Sequence, residues 1–249
     1  MTLLVAAVAS LVAFVVLTLL VAGRDGAPWL LDTELASWSL AHRPDVALAL
    51  ARGVTYTGTG LVPYTLVVVA GLVLGRTSGQ RIRAVTVCVC CLALAQAVRY
   101  AVMSLVARPR PPMADWATHA SGWSFPSGHT TTSAVAGGLL VLAVLARGPH
   151  CRKALVLVIG AWSVLVGLSR VYLGVHWFSD VLGGWLFALC WLSVFVLLTT
   201  RLRPGAFSAG SAPRLPPHPS GEKPPGASDA RRGTAQDDRQ APRSALPSG

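Results

Sequence analysis

Charge is what this chain has least of. Of its 249 residues only 12% are charged, ten acidic and 21 basic, and a soluble domain of that length carries about twice the fraction. An ordinary soluble surface is therefore excluded. With 53% hydrophobic residues and a mean hydropathy of +0.57, the chain reads as an integral membrane protein. It also lacks any Cys-x-x-Cys pair. Cys88, Cys90, Cys91, Cys151 and Cys190 lie in apolar runs or at their edges, as small buried hydrophobes rather than disulfides or ligands. No carboxylate cluster or Cys/His set offers a metal site, and no aromatic-basic interleaving marks a nucleic-acid surface. Metal, cofactor and nucleic acid are all unexpected. Anionic lipid headgroups are the natural electrostatic partner for a net charge of +11.

Long apolar runs are what the chain does have. A bilayer core of about 30 Å needs about 20 mostly apolar residues per helix, and six segments qualify: 2–22, 54–75, 84–106, 128–146, 154–172 and 177–200. The second is interrupted by Gly58, Gly60 and Pro63. The first lacks a basic flank and is long for a signal peptide, so a retained anchor is expected. Between the first two runs, "WLLDTELASWSLAHRPD" predicts a helix lying in the interface. Trp29, Leu30, Leu35 and Trp38 would form its apolar face, with Asp32, Glu34 and His42 elsewhere. The expected fold is all-α, with six transmembrane helices in a bundle plus this short interfacial helix.

Loop charge orients the bundle. Arg76, Arg81, Arg83, Arg147, Arg152, Lys153, Arg201 and Arg203 share one side with no acid among them, which predicts that side, and both termini, to be cytoplasmic. The two expected domains are a membrane unit over 1–202 and a tail over 203–249. The tail is rich in Pro, Gly, Ser and Arg and has too little apolar area to offset chain entropy, so disorder is expected.

Three polar clusters fall on the opposite, outer side, where ionisable groups near a bilayer are costly and mark function. In "SFPSGH", Ser127 reads as an N-cap with Gly128 at the first helical position. The unpaired N–H groups and the helix dipole there make an anion site, and His129 on the same turn has a proton to give. In "SRVYLGVHWFSD", Arg170 has a fork suited to phosphate. His176 and Asp180 are four residues apart, so on a helix the carboxylate can accept from the imidazole and leave the other ring nitrogen as a nucleophile. In "ARPRPP", prolines stiffen Arg108 and Arg110, which by themselves read as two arginines snorkelling at the end of a span. Together the clusters read as a phosphoryl site in which His176 attacks and His129 protonates the leaving oxygen. Asp115 and His119 read as solvated loop residues, and Ser124 and Thr130 to Thr132 as partners of the helix-start backbone.

At these residues the sequence resembles the type 2 phosphatidic acid phosphatase family, which shares its site plan with bacterial acid phosphatases and vanadium haloperoxidases. The family's three blocks are K-x6-R-P, P-S-G-H and S-R-x5-H-x3-D. The second is present as Pro126-Ser127-Gly128-His129, and the third is complete as Ser169, Arg170, His176 and Asp180. The resemblance, which covers about residues 25–200, implies His176 as nucleophile, Asp180 as its orienting partner and His129 as acid. It implies Arg110, Ser127, Gly128 and Arg170 as phosphate ligands. The first block departs: Arg110 and Pro111 match, but Met103 stands where the family has lysine. Arg99, one helical turn deeper on the same face, is the candidate to reach the site in its place.

The function expected from residues and resemblance together is a metal-independent membrane phosphatase working through a phosphohistidine, with its site at the outer interface. The resemblance makes polyprenyl diphosphates, phosphatidic acid and phosphatidylglycerol phosphate the candidate substrates. Haloperoxidase chemistry is a second class. A lipid-phosphate binder or transporter that keeps the cage without turnover is a third, opened by Met103.

Overall fold

The computed structural model describes residues 2–202, and the tail expected over 203–249 lies outside them. Eight α-helices follow one another: α1 (Thr2–Ala22), α2 (Leu30–Ala41), α3 (Asp45–Tyr56), α4 (Leu61–Leu74), α5 (Ser78–Val106), α6 (Gly128–Arg147), α7 (Arg152–Tyr172) and α8 (Phe178–Leu202). Among the described residues there is no strand, and a single 3-10 turn, Met113–Asp115, sits in the α5–α6 connection. Helices α1, α5, α6, α7 and α8 are each long and apolar enough to cross a membrane, and the bent pair α3 and α4 is long and apolar enough only when taken together, as one broken span or a re-entrant loop. Their outward faces carry bare apolar side chains such as Leu4, Val8, Leu11, Val15 and Leu19 of α1, a pattern that only a lipid solvent accommodates. The protein is a multi-pass membrane protein.

The bent pair departs from the run at 54–75. It begins at Asp45 and is broken into α3 and α4 with a bend of 49°. The break falls where Gly60 takes φ +66°, and Pro63 sits in the first turn of α4, where its missing N–H costs nothing. Gly58 is required by proximity, since a Cβ there would lie 2.3 Å from Val166 of α7. Helix α5 starts six residues earlier than its apolar run, because Thr77 and Gln80 form a reciprocal capping box that satisfies two first-turn N–H groups.

At the centre stands α6, packed against α4, α5, α7 and α8. Over half of its most apolar window, 56%, is buried, against 22% for α5. Its core side chains Val135, Ala136, Leu139 and Ala143 join Phe14, Val67, Leu92, Phe125 and Phe187 in one cluster. Helix α8 is seated against the start of α6 by Gly184, where a Cβ would meet Thr130 Cβ at 2.9 Å. The C-terminal ends of α5 and α7 and the N-terminal ends of α6 and α8 meet at one end of the bundle, and α2 packs on α7 and α8 there. Residues far apart in sequence thus reach one place.

Helix α2 keeps Leu30 and Trp38 on one face and Asp32 on another, as the sequence predicts. Leu30, Leu31 and Trp38 are exposed, while Asp32 and Ser39 are buried. Its inward face is polar because the partner it meets is charged, as described next.

Candidate active site

The start of α6 builds the first wall. Ser127 occupies the N-cap position, as its sequence context predicts, but its hydroxyl makes no capping bond. It accepts instead from Thr130 Oγ1 at 3.0 Å. The first helical bond runs from Thr131 N to Ser127 O, and no acceptor among the described residues takes the N–H groups of Gly128, His129 or Thr130. Three donors and the positive end of the dipole are left for an anion. The hydroxyls of Thr131, Thr132 and Ser133 turn back onto carbonyls of their own helix, so they carry no part of the anion site. His129 stands half-buried within electrostatic reach of Arg170, His176, Arg110 and Arg99.

The α7–α8 turn builds the second wall. Gly174 ends α7 with φ +72°, and a Cβ there would lie 2.5 Å from Asp115 O, so only glycine fits. The turn folds Val175 N onto Arg170 O and brings His176 back over the end of α7. Asp180, in the first turn of α8, places Oδ2 at 2.9 Å from Trp177 N and 3.3 Å from His176 Nδ1. On its other side, His176 Nε2 lies 2.9 Å from Arg110 Nη1. Arginine can only donate, so Nε2 is the acceptor and the ring proton sits on Nδ1, facing the carboxylate. The tautomer is the one that leaves Nε2 a lone pair. Burial, with Arg110 and Arg170 nearby, holds this imidazole well below its ordinary range, so it is neutral at neutral pH.

Three arginines close the cage. Arg170 is 2% exposed and its recorded side-chain bond goes to Thr55 Oγ1 at 3.0 Å, with Nε buried and unpartnered. Arg110 links Ser121, Gly122 and Trp123 to Val175 through their carbonyls, besides its contact with His176. Arg99 reaches the start of α6 from α5: its guanidinium lies 3.5 Å from where a Gly128 Cβ would be. Gln96 Oε1 accepts from its Nε at 2.9 Å, and its Nη1 rests 3.4 Å from Met103 Sδ. None of the three forms an ion pair among the described residues.

All eight residues singled out from the sequence thus gather at one end of the bundle. Asp115 and His119 do not join them, His119 being exposed and Asp115 giving its carbonyl to Arg43. Two residues escaped the sequence reasoning. Arg108 does not snorkel: it is wholly buried, with Nη1 2.6 Å from Asp180 Oδ1 and Nη2 2.9 Å from Asp32 Oδ2. An exposed pair contributes about 0.2–1 kcal/mol, whereas removing one partner of a buried one costs about 3–5 kcal/mol. The signal that could have found them is an acid at the start of an otherwise apolar helix.

Comparison with known proteins follows the same residues. Residues 84–204 match the sequence profile of the PAP2 superfamily. Over 82 residues the chain is 40% identical to phosphatidylglycerophosphatase B of Bacillus subtilis, a match spanning 32% of this chain and 40% of that relative's length. The fold superposes on a transmembrane PAP2-type phosphatidylglycerolphosphate phosphatase from Bacillus subtilis with a TM-score of 0.67 and 23% identity, covering 80% of this chain and 98% of that one. It superposes on Aquifex aeolicus LpxE with a TM-score of 0.54 and 20% identity, covering 68% and 96%. The P-S-G-H and S-R-x5-H-x3-D blocks lie inside the segment that matches the PAP2 superfamily, residues 84–204, and their side chains converge at the head of α6.

Proposed function

We propose that the protein is a lipid phosphatase that cleaves a phosphate or diphosphate ester through a phosphohistidine, without a metal ion. The observation that carries this reading is Arg170, a buried guanidinium with an unpartnered Nε and no carboxylate in contact among the described residues. A charge buried this way is costly until a counter-ion arrives, and Arg99, Arg110 and the bare N–H groups of α6 converge on the same place. Together they supply the positive charge that phosphoryl transfer needs at its equatorial oxygens.

In the reaction, His176 Nε2 exchanges its contact with Arg110 for the phosphorus atom and forms a P–N bond. The P–O bond to the lipid breaks, its electron pair goes to the leaving oxygen, and His129 gives that oxygen a proton. Asp180 accepts from Nδ1–H and stabilises the ring as it becomes cationic. His129, now a base, takes a proton from water, whose oxygen attacks phosphorus and returns the bonding pair to Nε2.

The substrate class is supported by place. An apolar groove of about 610 Å³ is lined by Leu35, Leu50, Ala51, Val54, Leu168 and Phe178. It lies directly beside the cage, since Thr55, next to Val54, holds Arg170. A lipid chain in that groove brings its headgroup to the arginines from within the bilayer. The names of the Bacillus relatives put phosphatidylglycerol phosphate first among substrates to try, with phosphatidic acid and polyprenyl diphosphates beside it. The charge of the opposite loops supports a site on the outer surface.

The test is phosphate release by purified protein in detergent with EDTA, across these lipids. Release that persists in EDTA and disappears in His176→Ala is the expected result. Release that survives His176→Ala removes the phosphohistidine, and no release from any lipid removes the enzyme in favour of a binder.

A further inference from the structure

Asp180 is held from both sides. Oδ2 faces His176, while Oδ1 accepts from Arg108 Nη1 at 2.6 Å. Arg108 is in turn fixed by Gly26 O, which accepts from Nε at 3.0 Å, by Ser179 Oγ at 2.7 Å and by Asp32 at 2.9 Å. Asp32 completes the frame: Oδ1 accepts from Ser179 N at 2.8 Å and Oδ2 from Ser179 Oγ at 2.6 Å. It therefore caps the start of the helix that carries Asp180, from an element 147 residues earlier in the chain. Asp32, Arg108 and Asp180 are all at most 2% exposed.

Geometry alone would let Arg108 do the positioning. Charge says why a second acid is present. A buried arginine paired with Asp180 alone would neutralise the carboxylate that must balance the His176 ring once Nε2 is bonded to phosphorus. With Asp32 sharing the arginine, the three side chains keep one net negative charge, and it faces Nδ1 across Asp180 Oδ2.

We infer that Asp32, acting through Arg108, is a positioning residue of the reaction: it fixes Asp180 against His176 and restores to that carboxylate the charge Arg108 takes from it. Helix α2 is then part of the catalytic apparatus rather than only an interfacial anchor. The inference rests on the phosphatase reading above.

The experiment compares Asp32→Asn, Arg108→Lys and the double variant Asp32→Asn/Arg108→Gln with the parent, each as the full chain in detergent. Phosphate release from a dispersed phosphatidate and competition by inorganic phosphate are measured. Nitrogen-15 NMR of the His176 ring supplies a readout independent of turnover. In Asp32→Asn, kcat falls about 100-fold, the scale of a misplaced reacting group, while KM and phosphate competition stay within about threefold. Arg108→Lys, which keeps the charge but cannot bridge two carboxylates, loses kcat similarly. The double variant restores one net negative charge and recovers at least about tenfold over Asp32→Asn. A purely structural role makes the double variant worse than the single one, and that result overturns the inference. So does an unchanged His176 Nδ1 signal in Asp32→Asn. A parent that releases no phosphate, yet whose His176 signal changes in Asp32→Asn, overturns the phosphatase reading and leaves the positioning in place.

Discussion

Met103 and Arg99 occupy successive turns of one face of α5, and only one of them can bind an anion. Methionine has no charge to offer, and its sulfur serves Arg99 Nη1 as a rest at 3.4 Å. Arg99 has the donors and lies against Gly128, where an oxyanion would enter. A charge-assisted bond contributes about 1.5–3 kcal/mol, so Arg99→Ala is expected to lower kcat/KM about 10- to 100-fold. Adding Met103→Lys to that variant recovers part of the loss, because a lysine there supplies the charge from one turn away. Steady-state kinetics of the three proteins decide it. Acidity gives a second handle. The proposed attack needs a neutral His176, and burial with Arg110 and Arg170 holds its imidazole well below its ordinary range, so activity should not fall as pH drops through about 6.5. Removing a positive neighbour stabilises the imidazolium. In Arg110→Gln the acid limb of the kcat/KM profile therefore moves to higher pH, whatever the height of the curve. An unmoved limb would mean that another group sets it.

At the scale of elements, the site is made where helix ends meet, and each end has its own physical cause. Helix α6 starts bare because the Ser127 hydroxyl does not cap it, α7 stops because Gly174 turns the chain, and α8 starts under a cap borrowed from α2. The bent pair of α3 and α4 sets one wall of the apolar groove, with Leu50, Ala51 and Val54 of α3 facing Leu165 and Leu168 of α7. Filling that groove tests whether it carries a lipid chain. Ala51→Trp is expected to lower kcat/KM for a long-chain phosphatidate about tenfold or more, while a short-chain soluble phosphate ester is cleaved as before. Equal loss on both would mean that α3 supports the cage through Thr55 and Arg170 alone. The ends of α2 and α5 were not legible from hydropathy, because capping boxes and a buried acid do not register as apolar runs, whereas the α3–α4 break falls where Gly58, Gly60 and Pro63 interrupt the second run.

For the molecule as a whole, the question is which face of the membrane the site meets. Helix α6 runs from the site at Gly128 to Arg147, a rise of about 30 Å, enough to cross the bilayer core. The α6–α7 connection, with Arg147, Arg152 and Lys153, therefore lies on the far side from His129 and His176. Cys151 in that connection is exposed, as is His119 near the site, so the connection carries a probe and the site end accepts another, while the exposed Cys90 lies within the α5 span. With a membrane-impermeant maleimide on intact cells, a His119→Cys thiol should react at once and Cys151 only after permeabilisation. The opposite pattern would place the phosphate cage inside.

The sequence by itself determined the membrane class, five of the six expected spans closely, and the eight residues that gather at the site. Helix-start chemistry and the His176–Asp180 pair are local, with spacings set by the period of one helix. The tertiary structure alone decided what surrounds them. That Arg108 is buried rather than snorkelling, that Asp32 faces inward, and that Arg170 meets Thr55 and no counter-ion among the described residues all depend on contacts between residues about 70 to 150 positions apart. A buried charge is settled by what packs against it from elsewhere in the chain, and no local spacing records that.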